Sequence, residues 1–155
     1  MGVEIERKFL VNKEKWQRAE KPAPSFYNQG YLSTDPNKTI RVRQTETTGY
    51  LTIKGLNSGA TRAEYEYEIP QKDAGELLDK FAATAISKKR YKIMFAGKLW
   101  EVDEFTGDNE GLIVAEIELK SETEEFETPD WVDHEVTMQE KYYNSNLSLH
   151  PYKNW

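Results

Sequence analysis

Charged side chains at alternate positions are the most chemically informative feature of this sequence. Glu4 and Glu6 form one acidic pair of this kind, and Arg41 and Arg43 form a basic one. The acids that follow the pattern are Glu4, Glu6, Glu64, Glu66, Glu68, Glu101, Asp103, Glu116 and Glu118. The bases are Lys8, Arg41, Arg43, Lys54, Arg62, Lys88, Arg90, Lys92 and Lys120. Residues two apart on a β-strand share one face, so the pattern predicts strand faces that carry dense charge of both signs.

The two kinds of charge suit two parts of one ligand. Clustered carboxylates bind hard divalent cations such as Mg²⁺ or Mn²⁺ through oxygen. Arginine matches phosphate oxygens in a bidentate geometry, and lysine supplies a point charge. Together they indicate a metal-bound polyphosphate. Phosphoryl transfer depends on positioning and charge neutralisation, which suits a chain with no cysteine and two histidines.

The elements that would position these residues are mostly strands. Alternation and turn residues predict eight strands, at 3–9, 25–33, 39–44, 50–54, 62–69, 86–95, 98–105 and 112–119. Helices are predicted at 12–20 and 72–84, with short helical segments in the tail at 126–155. Most neighbouring strands are joined by short turns, which makes them antiparallel. We expect an all-β-dominated α+β chain.

Two architectures are compatible with the alternation. One is an ordinary antiparallel sheet with a single wet face, in which each charged stripe is merely solvated. The other is an eight-stranded barrel whose charged faces point inward and whose apolar faces pack outward against the helices. Like charges two apart repel, and arginine is not the usual residue of a solvated edge, so the whole set favours the barrel. So many inward charges need water, a metal ion or a charged ligand.

Composition limits the functional classes. A length of 155 residues suits one domain, 1–155, with a modest core. The net charge of −6 argues against a nucleic-acid or anionic-membrane binder. No apolar run is long enough for a transmembrane helix, and the N-terminus opens into a strand rather than a signal peptide. We therefore expect a cytoplasmic protein.

The ordered set of charged motifs resembles a known family. Glu4-x-Glu6-x-Lys8 at the N-terminus is similar to the ExExK signature of CYTH domains, also called triphosphate tunnel metalloenzymes. The motifs that follow in order are Arg41-x-Arg43, Lys54, Glu64-x-Glu66, Lys88-x-Arg90, Asp103 and Glu116-x-Glu118. The tail from Trp131 to Ser145 also looks like that of the family. The resemblance spans essentially the whole chain.

This resemblance implies an eight-stranded tunnel that binds a triphosphate with Mg²⁺ or Mn²⁺, closed at one end by a C-terminal helix near 141–149. It implies metal ligands at Glu4, Glu6, Asp103, Glu116 and Glu118. It implies phosphate-binding residues at Lys8, Arg41, Arg43, Lys54, Lys88 and Arg90. Glu64 and Glu66, with Lys8, match the catalytic positions. A small-molecule triphosphate is the expected partner, and a homodimer is compatible with the family.

Family members act on several triphosphates. The short chain has no extra domain to hold an organic group, which favours hydrolysis of inorganic triphosphate to pyrophosphate and phosphate. Class IV adenylate cyclase activity, thiamine triphosphatase activity and non-catalytic polyphosphate binding remain alternatives. Whether Arg62, Glu68, Lys92 and Lys120 line the tunnel is left open, and Tyr27, Tyr31, Tyr65 and Tyr67 are expected to pack outside it. The tail histidines, His134 and His150, have no spaced ligand partners.

Overall fold

The computed structural model describes residues 2–155, so Met1, the first residue of the predicted domain, lies outside the described residues. Within this range the strands are β1 Val3–Val11, β2 Ser25–Asp35, β3 Lys38–Gln44, β4 Gly49–Lys54, β5 Thr61–Ile69, β6 Thr84–Phe95, β7 Lys98–Phe105, β8 Ile113–Glu118 and β9 Val132–Glu135. The helices are α1 Lys13–Arg18, α2 Gln71–Phe81 and α3 Asn144–Leu149. Short 3₁₀ turns lie at Gly107–Asn109, Glu140–Tyr142 and Tyr152–Asn154.

The first eight strands close into an antiparallel barrel in the order β1-β5-β4-β3-β2-β6-β7-β8. Strand β1 completes the ring because it pairs with a strand on each side. Its first residues pair with β5, with Glu4 opposite Arg62, and its later residues pair with β8, with Glu6 opposite Glu118. Closure leaves neither β5 nor β8 as a free edge. The eight-stranded antiparallel barrel predicted from the sequence is confirmed.

Tight turns set the register of the hairpins. Between β6 and β7, Ala96 and Gly97 both have positive φ, of 49° and 78°. Two such residues match the right-handed twist of the flanking strands. Between β2 and β3, the Asp35 carboxylate accepts a hydrogen bond of 2.9 Å from the Asn37 backbone N–H. Both turns lie where the sequence predicts them.

Strand β9 was not predicted. It pairs with β1 beyond the point where β5 leaves, with Phe9 opposite Glu135 and Val11 opposite Val132. Its four residues are too few to show an alternating pattern, and three of them are polar. Pairing with an existing strand, rather than any propensity of its own, therefore determines that this segment is extended.

The helices are shorter than predicted. Asn12 caps α1 by accepting a hydrogen bond of 3.0 Å from the Lys15 backbone N–H, and the helix buries Trp16. Helix α2 ends at Phe81, because the backbone is already extended at Ala82 and enters β6 at Thr84. Within residues 2–155, no helix has the length and apolar character needed to cross a membrane.

Apolar side chains form two separate clusters. The outer cluster packs the outside of β1, β7 and β8 against α1 and the tail, and it includes Trp16, Trp100 and Trp131. The inner cluster lies at one end of the barrel, where Phe105 and Leu147 are buried together. The inner cluster and α3 fill that end of the barrel, and together they are called the plug.

Candidate active site

A cavity of about 260 Å³ lies inside the barrel, and charged side chains line most of it. Every predicted site residue except Asp103 lines this cavity. Those residues are Glu4, Glu6, Lys8, Arg41, Arg43, Lys54, Glu64, Glu66, Lys88, Arg90, Glu116 and Glu118. Arg62 and Lys92 line it as well, whereas Glu68 and Lys120 are not among the lining residues. Alternation along the strands therefore brings together residues that are up to 114 positions apart in sequence.

Two tyrosines and the plug helix contribute residues that the sequence analysis missed. Tyr27 and Tyr31, expected outside, are buried and line the cavity. The tail contributes Tyr143, Asn144 and Ser145. Tyr27 and Tyr31 lie four residues apart on β2, between β3 and β6, which both carry alternating cations. This place between two cationic strands is the sequence signal that could have predicted the tyrosines inside the barrel. Aromatic side chains at alternate positions do not by themselves show which face of the strand points inward.

On β1, the side chains of Glu4, Glu6 and Lys8 project into the cavity as ion pairs. The Lys8 Nζ atom lies 3.0 Å from both Glu6 Oε1 and Glu116 Oε1. Burial opposes the charge of Lys8, but the Glu116 and Glu6 carboxylates outweigh it and raise the pKa of Lys8. Burial likewise opposes the charge of Glu6, yet Lys8 keeps its pKa below the ordinary value. Glu4 lies 3.2 Å from the Lys54 Nζ atom, so this face of β1 is held by ion pairs on both sides.

Asp103 lies behind the cavity wall. Its side chain is completely buried and accepts a bidentate pair of hydrogen bonds from Arg90, at 2.8 and 2.9 Å. The Lys88 Nζ atom lies 2.7 Å from Asp103 Oδ2, the oxygen that also accepts from Arg90 Nη2. Burial would raise the pKa of Asp103, but Arg90 and Lys88 lower it, so it stays ionised. Both oxygens are occupied by cations, an arrangement different from the metal-ligand role implied by the family resemblance.

Arg41 and Arg43 both keep guanidinium N–H donors that no described residue accepts. The Arg41 Nη2 atom does lie 3.4 Å from Glu66 and donates a hydrogen bond of 3.2 Å to Thr52. The Arg41 Nε atom is buried and has no hydrogen-bond partner within residues 2–155. Arg43 donates a hydrogen bond of 3.1 Å to the Gln29 side-chain oxygen, and no carboxylate within residues 2–155 forms an ion pair with it. Burial, then the nearby charges of Arg41 and Arg90, lower the pKa of Arg43 to about 10. Such uncompensated donors fit an anion with several oxygens, such as a phosphate chain.

Lys88 lies deepest among the cavity lysines, and the register places it inside while Lys89 lies outside near Phe26. Its Nζ atom pairs with Asp103 and donates a hydrogen bond of 2.8 Å to the Asn144 side-chain oxygen. An ammonium has three N–H donors, so the third is left for a ligand. Burial, opposed by Asp103 but assisted by Arg90, lowers the pKa of Lys88 to about 7.

Acidic side chains crowd the wall formed by β1, β7 and β8. Glu6 lies opposite Glu118 on neighbouring strands, and Glu101 lies opposite Glu116. Directly opposed like charges destabilise a sheet. Partial burial, and then the repulsion of Glu4 and other nearby carboxylates, raise the pKa of Glu118 to about 7. A bound cation would reduce the repulsion between these carboxylates.

The donor chemistry of this wall fits a hard divalent cation, since every available ligand is a carboxylate oxygen. Within residues 2–155, no group of three His, Asp or Glu side chains already surrounds one point as metal ligands. The carboxylates of Glu4 and Glu6 are instead ion-paired, Glu4 with Lys54 and Arg62 and Glu6 with Lys8. A cation would have to compete with these amines for the carboxylates.

The comparison with known families agrees with this geometry. A family model described as the CYTH domain matches residues 2–151. The chain belongs to the CYTH domain family. The family resemblance stated from the ExExK motif and its successors is thereby confirmed.

Relatives of this CYTH domain match it along nearly its whole length. An inorganic triphosphatase of Acetivibrio thermocellus is 49% identical over 156 residues, covering 100% of this chain and 99% of that protein. An inorganic triphosphatase of Nitrosomonas europaea is 35% identical over 150 residues, covering 94% of this chain and 97% of that protein. The crystal structure of the inorganic triphosphatase NE1496 matches with a TM-score of 0.63 at 31% identity, covering 94% and 97% of the two chains.

Proposed function

We propose that this CYTH domain is a metal-dependent triphosphatase that hydrolyses inorganic triphosphate to pyrophosphate and phosphate. The observation that carries the proposal is the division of one cavity into an arginine-rich part with unsatisfied donors and an acidic wall with mutually repelling carboxylates. A phosphate chain would accept hydrogen bonds from the arginines of the first part, and a divalent cation would bind the carboxylates of the second. The relatives named inorganic triphosphatase support the same hydrolase class, which the sequence had already predicted.

In this proposal, the cavity cations hold the substrate. Arg41, Arg43 and Arg90 bind phosphate oxygens, with Lys8, Lys54 and Lys88 adding positive charge. These groups stabilise the negative charge of the substrate and of its transition state, and they hold the phosphate chain in one orientation. Asp103 acts from behind by fixing Arg90 and Lys88, and we assign it this supporting role in place of metal binding.

The acidic wall supplies the remaining chemistry. Glu4, Glu6, Glu116 and Glu118 would hold Mg²⁺ or Mn²⁺, which when bound neutralises phosphate charge and polarises the phosphorus–oxygen bond. Glu64 and Glu66 accept hydrogen bonds from the attacking water and orient it towards the terminal phosphorus. The water oxygen bonds to the terminal phosphorus as the bond from that phosphorus to the bridging oxygen breaks. Pyrophosphate leaves with the bridging oxygen and its electron pair, and the proton lost by the water passes to the solvent. No covalent enzyme intermediate is needed.

The surroundings of the enzyme follow from the same proposal. A small-molecule triphosphate is its partner, and the net charge of −6 opposes binding to nucleic acid or an anionic membrane. We place the enzyme in the cytoplasm. A homodimer is also proposed, and sedimentation at micromolar concentration would distinguish it from a monomer.

Phosphate release tests the activity directly. The protein is incubated with inorganic triphosphate, ATP or thiamine triphosphate, in Mg²⁺, in Mn²⁺ and in EDTA. We expect metal-dependent release that is fastest from inorganic triphosphate. Cyclic AMP and pyrophosphate from ATP would instead assign cyclase activity, and tight binding without turnover would assign a binding module.

A matched pair of variants links the activity to the cavity. Glu66→Gln removes a carboxylate that lines the cavity, and Glu68→Gln makes the same change two residues further along β5, outside the lining. We expect Glu66→Gln to lose most of the activity and Glu68→Gln to retain it. Equal losses in both variants would contradict the proposed catalytic role of β5.

A further inference from the structure

Tyr27 lies between two of the cavity arginines. Its ring centroid is 4.7 Å from the Arg43 guanidinium carbon and 5.1 Å from that of Arg90. The side chain is 8% exposed, so these contacts are largely shielded from water. A cation over an aromatic face is attracted by the ring quadrupole, and the attraction is stronger when water is excluded. One ring therefore holds two guanidinium groups that repel each other.

Amide side chains complete a closed set of contacts around the same cations. Arg43 donates to the Gln29 side-chain oxygen at 3.1 Å, and Gln29 donates to the Asn144 side-chain oxygen at 3.4 Å. Lys88 donates to that same Asn144 oxygen at 2.8 Å. From Lys88 the contacts continue through the Asp103 carboxylate to Arg90 and back to the Tyr27 ring.

We propose that Tyr27, Gln29 and Asn144 form an uncharged frame that positions Arg43, Lys88 and Arg90 for triphosphate. This inference rests on the proposed function and adds positioning residues to it. A carboxylate beside Arg43 would also fix the guanidinium, but it would neutralise the charge and compete with phosphate. A ring face and an amide oxygen hold the group in place while leaving its charge available.

Tyr27 positions the two arginines through its aromatic ring and not through its hydroxyl group. No hydrogen bond of the Tyr27 hydroxyl is present among the described residues 2–155, whereas both arginine contacts involve the ring. Phenylalanine keeps the ring, and leucine removes it at similar hydrophobicity. Tyr67 provides a matched control, because it is 57% exposed and does not line the cavity.

The experiment compares Tyr27→Leu, Tyr27→Phe and Tyr67→Leu with the unmodified protein. Two readouts are used: kcat and KM for triphosphate with Mg²⁺, and calorimetric binding of triphosphate in EDTA. We expect Tyr27→Leu to raise KM and weaken metal-free binding on the order of tenfold, with a smaller change in kcat. Tyr27→Phe and Tyr67→Leu should remain close to the unmodified protein.

Gln29→Glu tests whether the frame must be uncharged, and it keeps the shape of the buried side chain in case Tyr27→Leu does not fold. A carboxylate beside Arg43 neutralises its charge and removes the donor to Asn144, so it should weaken triphosphate binding. Unchanged binding in Gln29→Glu, or equal losses in Tyr27→Phe and Tyr27→Leu, would overturn the inference. If the unmodified protein binds triphosphate in EDTA without hydrolysing it under any metal condition, the proposed function fails while these binding comparisons still decide the frame.

Discussion

Replacing Arg43 by methionine should stabilise the unliganded protein and at the same time weaken its binding of triphosphate. Arg43 is buried, has two arginines as neighbours and forms no ion pair within residues 2–155. Methionine has a similar length and no charge, so it removes the cost of burying the guanidinium. A substitution that improves folding and impairs binding is the expected signature of a residue kept for its ligand.

The magnitude follows from the electrostatics of the site. Burial and the neighbouring arginines lower the pKa of Arg43 from 12.5 to about 10. At about 1.4 kcal/mol for each pKa unit, the charged form costs about 3 kcal/mol in the folded state. The substitution also loses the Tyr27 contact and the Gln29 hydrogen bond, about 1 kcal/mol each. A net stabilisation of about 1 kcal/mol remains, which raises the melting temperature by about 2–4 °C for a chain of this size.

Arg90→Met is the matched comparison on the neighbouring wall. Arg90 holds the buried Asp103 carboxylate through two hydrogen bonds, so its loss leaves a poorly compensated buried charge. Breaking a buried pair in this way costs about 3–5 kcal/mol. Thermal unfolding and calorimetric titration with triphosphate would be measured for both variants. We expect opposite changes in stability and a loss of affinity in both; destabilisation of Arg43→Met as large as that of Arg90→Met would refute the argument.

Three further predictions concern the acidic wall and the plug. The folded protein holds a proton on Glu118 between its ordinary pKa of 4.5 and about 7, so metal-free stability should fall as pH rises through this window. For the same reason Mg²⁺ affinity should rise from pH 6 to pH 8, and titration calorimetry of Glu118→Gln should show a flatter dependence. Glu4→Gln combined with Glu6→Gln should abolish metal-dependent phosphate release while circular dichroism remains unchanged; persisting activity would contradict the metal assignment. Leu147→Ala, at a fully buried position in α3, should cost about 2–5 kcal/mol in urea unfolding, and a smaller loss would show that the plug adds little to stability.

The alternation of charge predicted the barrel because it shows, within each strand, which face is charged, and the charged faces of all strands have to be accommodated by one fold. On β1, Glu4, Glu6 and Lys8 must share one face, and the opposite charges on the other strands favour an arrangement in which these faces meet inside a barrel. The same logic placed Arg41, Arg43, Lys88 and Arg90 in one cavity. Local alternation therefore identified most of the charged residues that line the cavity.

At some positions alternation carries no information about the surroundings of a side chain. Asp103 follows the same stripe as Glu101, yet Arg90 and Lys88 enclose its carboxylate behind the wall. Tyr27 was expected outside because an aromatic side chain is compatible with either face of a strand. Asn144 approaches from a helix in the tail, and its contact with Lys88 spans 56 residues of sequence. Such contacts depend on tertiary packing that no local pattern records.

The plug restricts the path by which substrate and products can enter and leave the barrel. Because the inner apolar cluster fills one end of the barrel, we expect substrate and both products to pass through the other end. A longer polyphosphate could insert one end but could not slide through, so the enzyme would release its product and rebind after each cleavage. Degradation of long chains would therefore be distributive, with intermediates of every length accumulating in solution.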